Sequence, residues 1–302
     1  MRKPIILLAM AMLMTSSFAC CIFPTIPNID LPDVNINVPT IDVGPLEERE
    51  ETIPTEDVES ATVDVLFGAG DLHVEAGEPG NLLQGTFSYN VEAWEPTITF
   101  EDGELTIRQG DQNQDWGIPS SSVRNTWELA FSPEVPLAIN LDLGAGDGEL
   151  NFTDLQITDL DLDFGAGDFD VRFDEPNPAE LKRLVVDAGA SQLDMDGLGN
   201  ASPEEMVVTG GVGDITLDCS GDWARSATID VSAGVGALTL RLPDRVGARV
   251  TVTDGLSSVS APDFERSGDA YTNDAYGETD VELDIRVSAG VGQISLVESS
   301  GE

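Results

Sequence analysis

Lysine is nearly missing from this chain: Lys182 is the sole lysine beyond the first three residues. Against 14 Lys and Arg stand 56 Asp and Glu, a net formal charge of −42 over 302 residues. A surface of that sign repels phosphate backbones, which excludes nucleic acid as a partner. Histidine is as scarce. A Ser-His-Asp triad or a histidine-based metal site would have to use His73, which stands one step off the inward positions Leu72 and Val74 and is expected on the surface. Cysteine occurs at 20, 21 and 219, which leaves no disulfide framework and no Cys-x-x-Cys motif. Cys219 continues the alternation of Ile215 and Leu217, so it is predicted to be a core thiol. Aromatics make up only 6%. The 30 glycines and 17 prolines are more turn-formers than a helical bundle would tolerate, and the class they suit is all-β with many strands.

The N-terminus reads as an address. Met1-Arg2-Lys3 is followed by an apolar run from Ile5 to Met14 and by small residues ending at Ala19-Cys20-Cys21. This is the layout of a secretory signal over residues 1–19, too short for a spanning helix of about 20 residues. A cysteine directly after a small residue points to lipidation of Cys20, although Ser17 stands where Leu is usual in a lipobox. Ordinary cleavage after Ala19, releasing a secreted protein, is the alternative. Prolines at 24, 27, 32, 39, 45 and 54 and the charge run Glu47–Glu51 then predict an extended, acidic, lipid-anchored linker over residues 20–60.

The body of the chain is dominated by one repeat. A strand ends in Gly-small-Gly and a second alternating strand begins. The copies place glycines at Gly68 and Gly70, Gly144 and Gly146, Gly165 and Gly167, Gly211 and Gly213, Gly234 and Gly236, and Gly290 and Gly292, with variant copies at Gly189-Ala190-Ser191 and Gly255-Leu256-Ser257. From Gly144 to Gly255 the first glycines are spaced by 21, 24, 22, 23 and 21 residues, the length of one solenoid coil. Side-chain parity explains the glycines. Before the motif at 165 the apolar residues are Leu160, Leu162 and Phe164; after it they are Phe169, Val171 and Phe173. One extra residue at a bend keeps both flanking strands facing one core, and glycine permits the positive φ or close approach of such a bend. The small residue between the glycines is expected to stack on its counterpart in the next coil. The predicted fold is a β-solenoid-like stack of short strands with about 21–24 residues per coil; a β-sandwich of hairpins is the alternative. The stack is expected over residues 111–298, after a small strand-rich cap at 61–110 and before a tail at 299–302. A short helical turn is expected within Glu175–Arg183.

Chemistry is sparse. The aspartates are spread along the outward face of every coil, as on a solvated surface, whereas a carboxylate pair for glycoside chemistry needs a defined separation beside sugar platforms. No catalytic, cofactor-binding or metal-ligating residue is therefore assigned. Gly210-Gly211-Val212-Gly213-Asp214 has part of a calcium nonapeptide, but Asp214 follows Gly213 without the intervening residue, and calcium needs six to eight converging oxygens. Stacked Asp rows leave room for weak calcium binding only.

The chain resembles the bacterial toast-rack family, related to cell-wall-active antibiotic response proteins and adhesins. The resemblance runs over residues 61–298 through Val65–Gly70, Phe87–Asn90 with Trp94 and Pro96, Leu105–Gln109, Asp187–Ser191, Gly197–Ala201, Gly210–Asp214, Trp223, Ser232–Gly236 and Ser288–Gly292. It implies a stacked β fold outside the cytoplasm, a role in envelope-stress signalling for some relatives, and no catalytic residues. The expectation is a non-catalytic lipoprotein on the extracytoplasmic face of the membrane, an adhesin-like or envelope-stress scaffold with an envelope protein or glycan as partner. A polysaccharide-acting β-solenoid enzyme is the alternative.

Overall fold

The computed structural model describes residues 43–110 and 122–299. The predicted signal peptide, Cys20 and the linker up to residue 42 lie outside the described residues, as does the stretch 111–121.

The strands in chain order are β1 (Glu47–Pro54), β2 (Ala61–Ala76), β3 (Asn81–Tyr89), β4 (Thr97–Glu101), β5 (Glu104–Arg108), β6 (Asn125–Phe131), β7 (Pro136–Asn151), β8 (Gln156–Arg172) and β9 (Arg183–Asp196). After a single helical turn, α1 (Leu198–Ala201), come β10 (Glu205–Val212), β11 (Ile215–Asp218), β12 (Ala227–Pro243), β13 (Gly247–Ser260), β14 (Glu265–Ser267), β15 (Ala270–Thr272) and β16 (Glu282–Ser299). All belong to one sheet. Its body is an all-β stack of parallel rungs in the order β2, β7, β8, β9, β10 with β11, β12, β16, β13.

Each rung is built as the parity predicts. In β8, Leu160, Leu162 and Phe164 are buried ahead of the bend and Phe169 and Val171 behind it, while Asp159, Asp161, Asp163, Asp168 and Asp170 face outward. The two arms fold onto one core, so Phe164 and Phe169 stack across the bend with centroids 4.2 Å apart and planes 8° from parallel. Hydrogen-bonded pairing runs on through the bend, so the two short strands expected of each coil form one continuous ladder. The bends are in register: Gly146 lies beside Gly70, Gly167 beside Gly146 and Gly292 beside Gly236. The residues between the glycines are also in register, Val235 between Val212 and Val291. Their side chains face water rather than the core, with Val212 59%, Val235 50% and Val291 49% exposed.

Beside the first bend, between β5 and β6, no glycine bend lies among the described residues, and two buried amides stand there. Gln109 Oε1 accepts from the N–H groups of Gly68 and Ala69 at 2.8 and 3.2 Å. Asn125 Nδ2 donates to Ala69 O at 2.7 Å and to Gln109 Oε1 at 3.1 Å. Buried backbone groups at the end of a stack are satisfied in this way without a further strand.

Four expectations need correction. The linker does not run to residue 60: β1 pairs antiparallel with β3 from Glu47↔Tyr89 onward, because its alternate residues fit the open edge of β3 and its charges stay at the surface. The strand-rich end does not stop at residue 110: β6 pairs with both β3 and the second arm of β2. The stretch Glu175–Arg183 forms no helix. Pro176 and Pro178 lack N–H donors, and Asn177 pins the loop instead, its Oδ1 accepting from Ile157 N at 3.0 Å and its Nδ2 donating to Ile157 O at 2.8 Å. Finally, the regular spacing up to Gly255 implies that this rung follows the one at Gly234, but β16 lies between them. Period reports the length of a rung, and adjacency is decided by the hairpin β14–β15, which packs antiparallel against the outer side of β13 and sends the chain back.

Candidate functional site

The sheet surface beyond β2 forms an open trough of about 760 Å³ across β1, β3, β6 and the second arm of β2. Strand alternation creates it. Phe87, Trp127, Leu129, Leu72 and Val74 point into the core, so the intervening residues point the other way. Trp127 fixes this layer, with Phe67 at 4.7 Å and Phe87 at 5.2 Å between ring centroids. Gly77 and Ala130 keep the floor of the trough low, and Glu50, Glu75, Glu78 and Glu128 line it together with Thr52, Thr86 and Gln84.

One cross-strand row organises the polar groups. Glu50 lies opposite Thr86, Thr86 opposite Glu128, Glu128 opposite His73, and His73 opposite Glu149. His73 is on the outer face with its side chain 40% exposed, and its Nδ1 stands 3.3 Å from Glu149 Oε2. Arg49 on β1 is engaged elsewhere, with Glu51 at 3.1 Å and with Pro96 O, to which it donates at 2.8 Å. The arrangement offers a shallow surface rich in hydrogen-bond acceptors, suited to a partner bearing positive charge or donors.

The aspartate rows have a different geometry. Asp142, Asp163 and Asp187 are direct cross-strand neighbours on three successive rungs. Burial raises the pKa of Asp163, and the charges of Asp142, Asp187 and Asp161 raise it further. Asp196 is raised by burial and by Asp218, with Arg241 opposing. These carboxylates form ladders along the sheet instead of converging, and among the described residues no group of three or more His, Cys, Asp or Glu is placed to hold a metal ion. Cys219 is buried, and burial pushes its thiol up to about 12, the state of an inert packing residue.

The glycines assigned to the bends, Gly68, Gly70, Gly144, Gly146, Gly165, Gly167, Gly211, Gly213, Gly234, Gly236, Gly290 and Gly292, are brought into one line along the stack. The second of each pair has a positive φ, between 133° at Gly146 and 155° at Gly292. At the first, a Cβ would meet the Gln109 side chain at Gly68 and the neighbouring rung's carbonyl at the others, as at Gly290 against Gly234 O. They shape the scaffold and contact none of the trough. Its residues Glu50, Glu75, Glu78 and Glu128 carried no sequence motif. Alternation places Glu50, Glu75 and Glu128 outward and Glu78 follows in the β2–β3 connection, but only the pairings of β1 with β3, β3 with β6 and β6 with β2 bring them together across distant segments.

The family model described as N-terminal domain of toast_rack, DUF2154, matches residues 42–182 and 177–241. No curated protein matches the chain at a significant level. Among solved structures, the chain is similar to a candidate cell adhesion protein from Clostridium sporogenes ATCC 15579, at 24% identity over 84% of this chain and 100% of that one, with a TM-score of 0.47. A candidate adhesin from Bacteroides fragilis NCTC 9343 is similar at 13% identity over 85% of this chain and 99% of that one, TM-score 0.39. A candidate lipid binding protein from Parabacteroides distasonis ATCC 8503 is similar at 11% identity over 86% of this chain and 100% of that one, TM-score 0.36.

Proposed function

The chain belongs to the toast-rack family, and from that premise we propose that it is a non-catalytic, adhesin-like binding module held on the outer face of a cell membrane through a lipid on Cys20. The observation that carries the binding reading is the trough. It presents Glu50, Glu75, Glu78 and Glu128 on a rigid sheet, above a floor of small residues that leaves room for a partner. A partner with positive charge and hydrogen-bond donors, offered by the cell envelope, fits this surface. Opposite charge would steer the encounter and make it sensitive to salt.

The test immobilises the protein and measures retention of cell-envelope fractions, protein and glycan separately. The triple variant Glu50→Gln, Glu75→Gln, Glu128→Gln should lose at least about tenfold in affinity, or about 1.4 kcal/mol, with its melting temperature kept. Undiminished, salt-insensitive retention by that variant removes the trough from the account. The anchor has its own check. Labelled fatty acid should be incorporated into the wild type and not into Cys20→Ala, and release of unlabelled wild-type protein into the medium would make it a secreted protein instead.

A further inference from the structure

Sheet edges are where strands from another chain can add, and folded proteins guard them with charge, proline or short length. Three of the edges here are guarded. β1 carries Glu47, Glu48, Arg49, Glu50 and Glu51 and ends in Pro54. β4 is five residues long, preceded by Pro96 and ending in Glu101. β14 is three residues long and contains Glu265 and Arg266. The second arm of β13 differs. Its first arm is covered by β15 at Arg249–Thr251, and Val252 N donates to Asp269 O. From Thr253 to Ser260, β13 pairs with β16 on its inner side; on its outer side no strand lies among the described residues.

This open edge is also the least charged of the four, since the longer uncharged runs Val231–Leu240 and Val287–Val297 lie on inner strands. Between Arg249 and Asp263 the one ionisable residue is Asp254, in a chain whose net charge is −42. Thr253, Gly255, Leu256, Ser258 and Ser260 are exposed. Leu256, the residue between the bend positions of this rung, is 82% exposed and lies beside Val291, so it ends the apolar line of Val212, Val235 and Val291.

We propose that this edge is a self-association surface, at which Thr253–Ser260 of two copies pair antiparallel about a two-fold axis. Charge selects the occupant. Copies of so acidic a chain repel one another over most of their surface, and this edge is where two of them meet with the fewest carboxylates between them. The same uncharged strand serves both sides, which is the self-complementarity that a two-fold interface requires. Pairing joins the two apolar lines end to end and covers both Leu256 side chains. Because the remaining repulsion is screened by salt, the dimer tightens as ionic strength rises, opposite to binding at the trough.

The experiment is sedimentation of the full chain carrying Cys20→Ser and Cys21→Ser, over a concentration series at low and high salt. A monomer–dimer equilibrium strengthened by salt is expected. Leu256→Lys and Ser258→Lys should each weaken it at least about tenfold with unchanged melting temperature. Those lysines lower the net negative charge, so general electrostatics would push the other way. Single cysteines placed along residues 253–260 should cross-link to themselves best near the centre of the segment and less toward either end, since only residues at a two-fold axis meet their own copies. A monomer at all concentrations overturns the proposal, as does a dimer indifferent to both lysine variants. Cross-links confined to unlike positions would show a head-to-tail contact and overturn it too.

Discussion

Gly167 has φ 147°, and a Cβ there would overlap the carbonyl oxygen of Gly146 on the rung beneath. Two costs therefore fall on one substitution: a backbone conformation that L side chains rarely adopt, and a collision with backbone that is itself fixed by pairing. Gly167→Ala should destabilise the protein by about 3 kcal/mol or more, read as a drop in the urea midpoint. Gly80 is the control. It also has a positive φ, 89°, but a Cβ would meet nothing within 4 Å, so Gly80→Ala should cost only about 1 kcal/mol. Equal losses at both sites would mean that conformation alone, without stacking, makes the bends need glycine. The rung at Ser191 shows how narrow the requirement is: a buried serine replaces the second glycine there without a positive φ, while its own carbonyl excludes a side chain at Gly213 above it.

Strand register turns the chain's acidity into rows. Asp142, Asp163 and Asp187 face one another across three strands with no Arg or Lys in the row, whereas Asp230 on β12 meets Arg286 on β16 at 3.1 Å. A carboxyl whose pKa is raised on folding, as for Asp163, Asp196 and Glu298, binds more protons folded than unfolded. Stability therefore rises as pH falls from neutral through the raised values, and levels off below the unfolded carboxylate range. Urea midpoints should be higher near pH 5 than at pH 7, and Asp163→Asn should raise the pH 7 midpoint and flatten the slope. A midpoint that falls on mild acidification would mean that lost ion pairs outweigh the relieved rows. Much of this element scale was legible in advance. The alternation of Leu160, Leu162 and Phe164, its shift of parity to Phe169, and the glycines between them carry strand, bend and core together. What stayed hidden depended on partners remote in sequence. Glu47–Glu51 read locally as a solvated charge run, and only the presence of β3 makes it a strand and puts Glu50 in the trough. Asn177, Gln109 and Asn125 look like loop or strand-end residues, and their role depends on which orphan backbone groups lie beside them.

At the scale of the whole molecule, β16 joins the last rungs. It pairs with β12 along its length and with β13 on the other side. In a stack where each rung touches only its neighbours, loss of an end rung should remove one rung's worth of protection. Truncation after residue 281 should do more, leaving β13 with no parallel partner and exposing β12. Hydrogen exchange in the truncated chain should be fast throughout β13–β15, with protection retained from β2 to β9. If β13 stays protected, it has re-paired with β12, and the interposed strand is dispensable. The interposition also sets an order in time. A chain delivered N-terminus first can lay β7, β8, β9, β10 and β12 down as each appears, every arrival closing on the rung before it. β13 emerges with its permanent place not yet beside anything, and its hairpin must wait, held off β12, until β16 arrives to fill the gap. The last strand of the stack to be delivered is thus the one that locks it, and until then the emerging protein exposes the facing edges of β12 and β13 in addition to the edge that stays open.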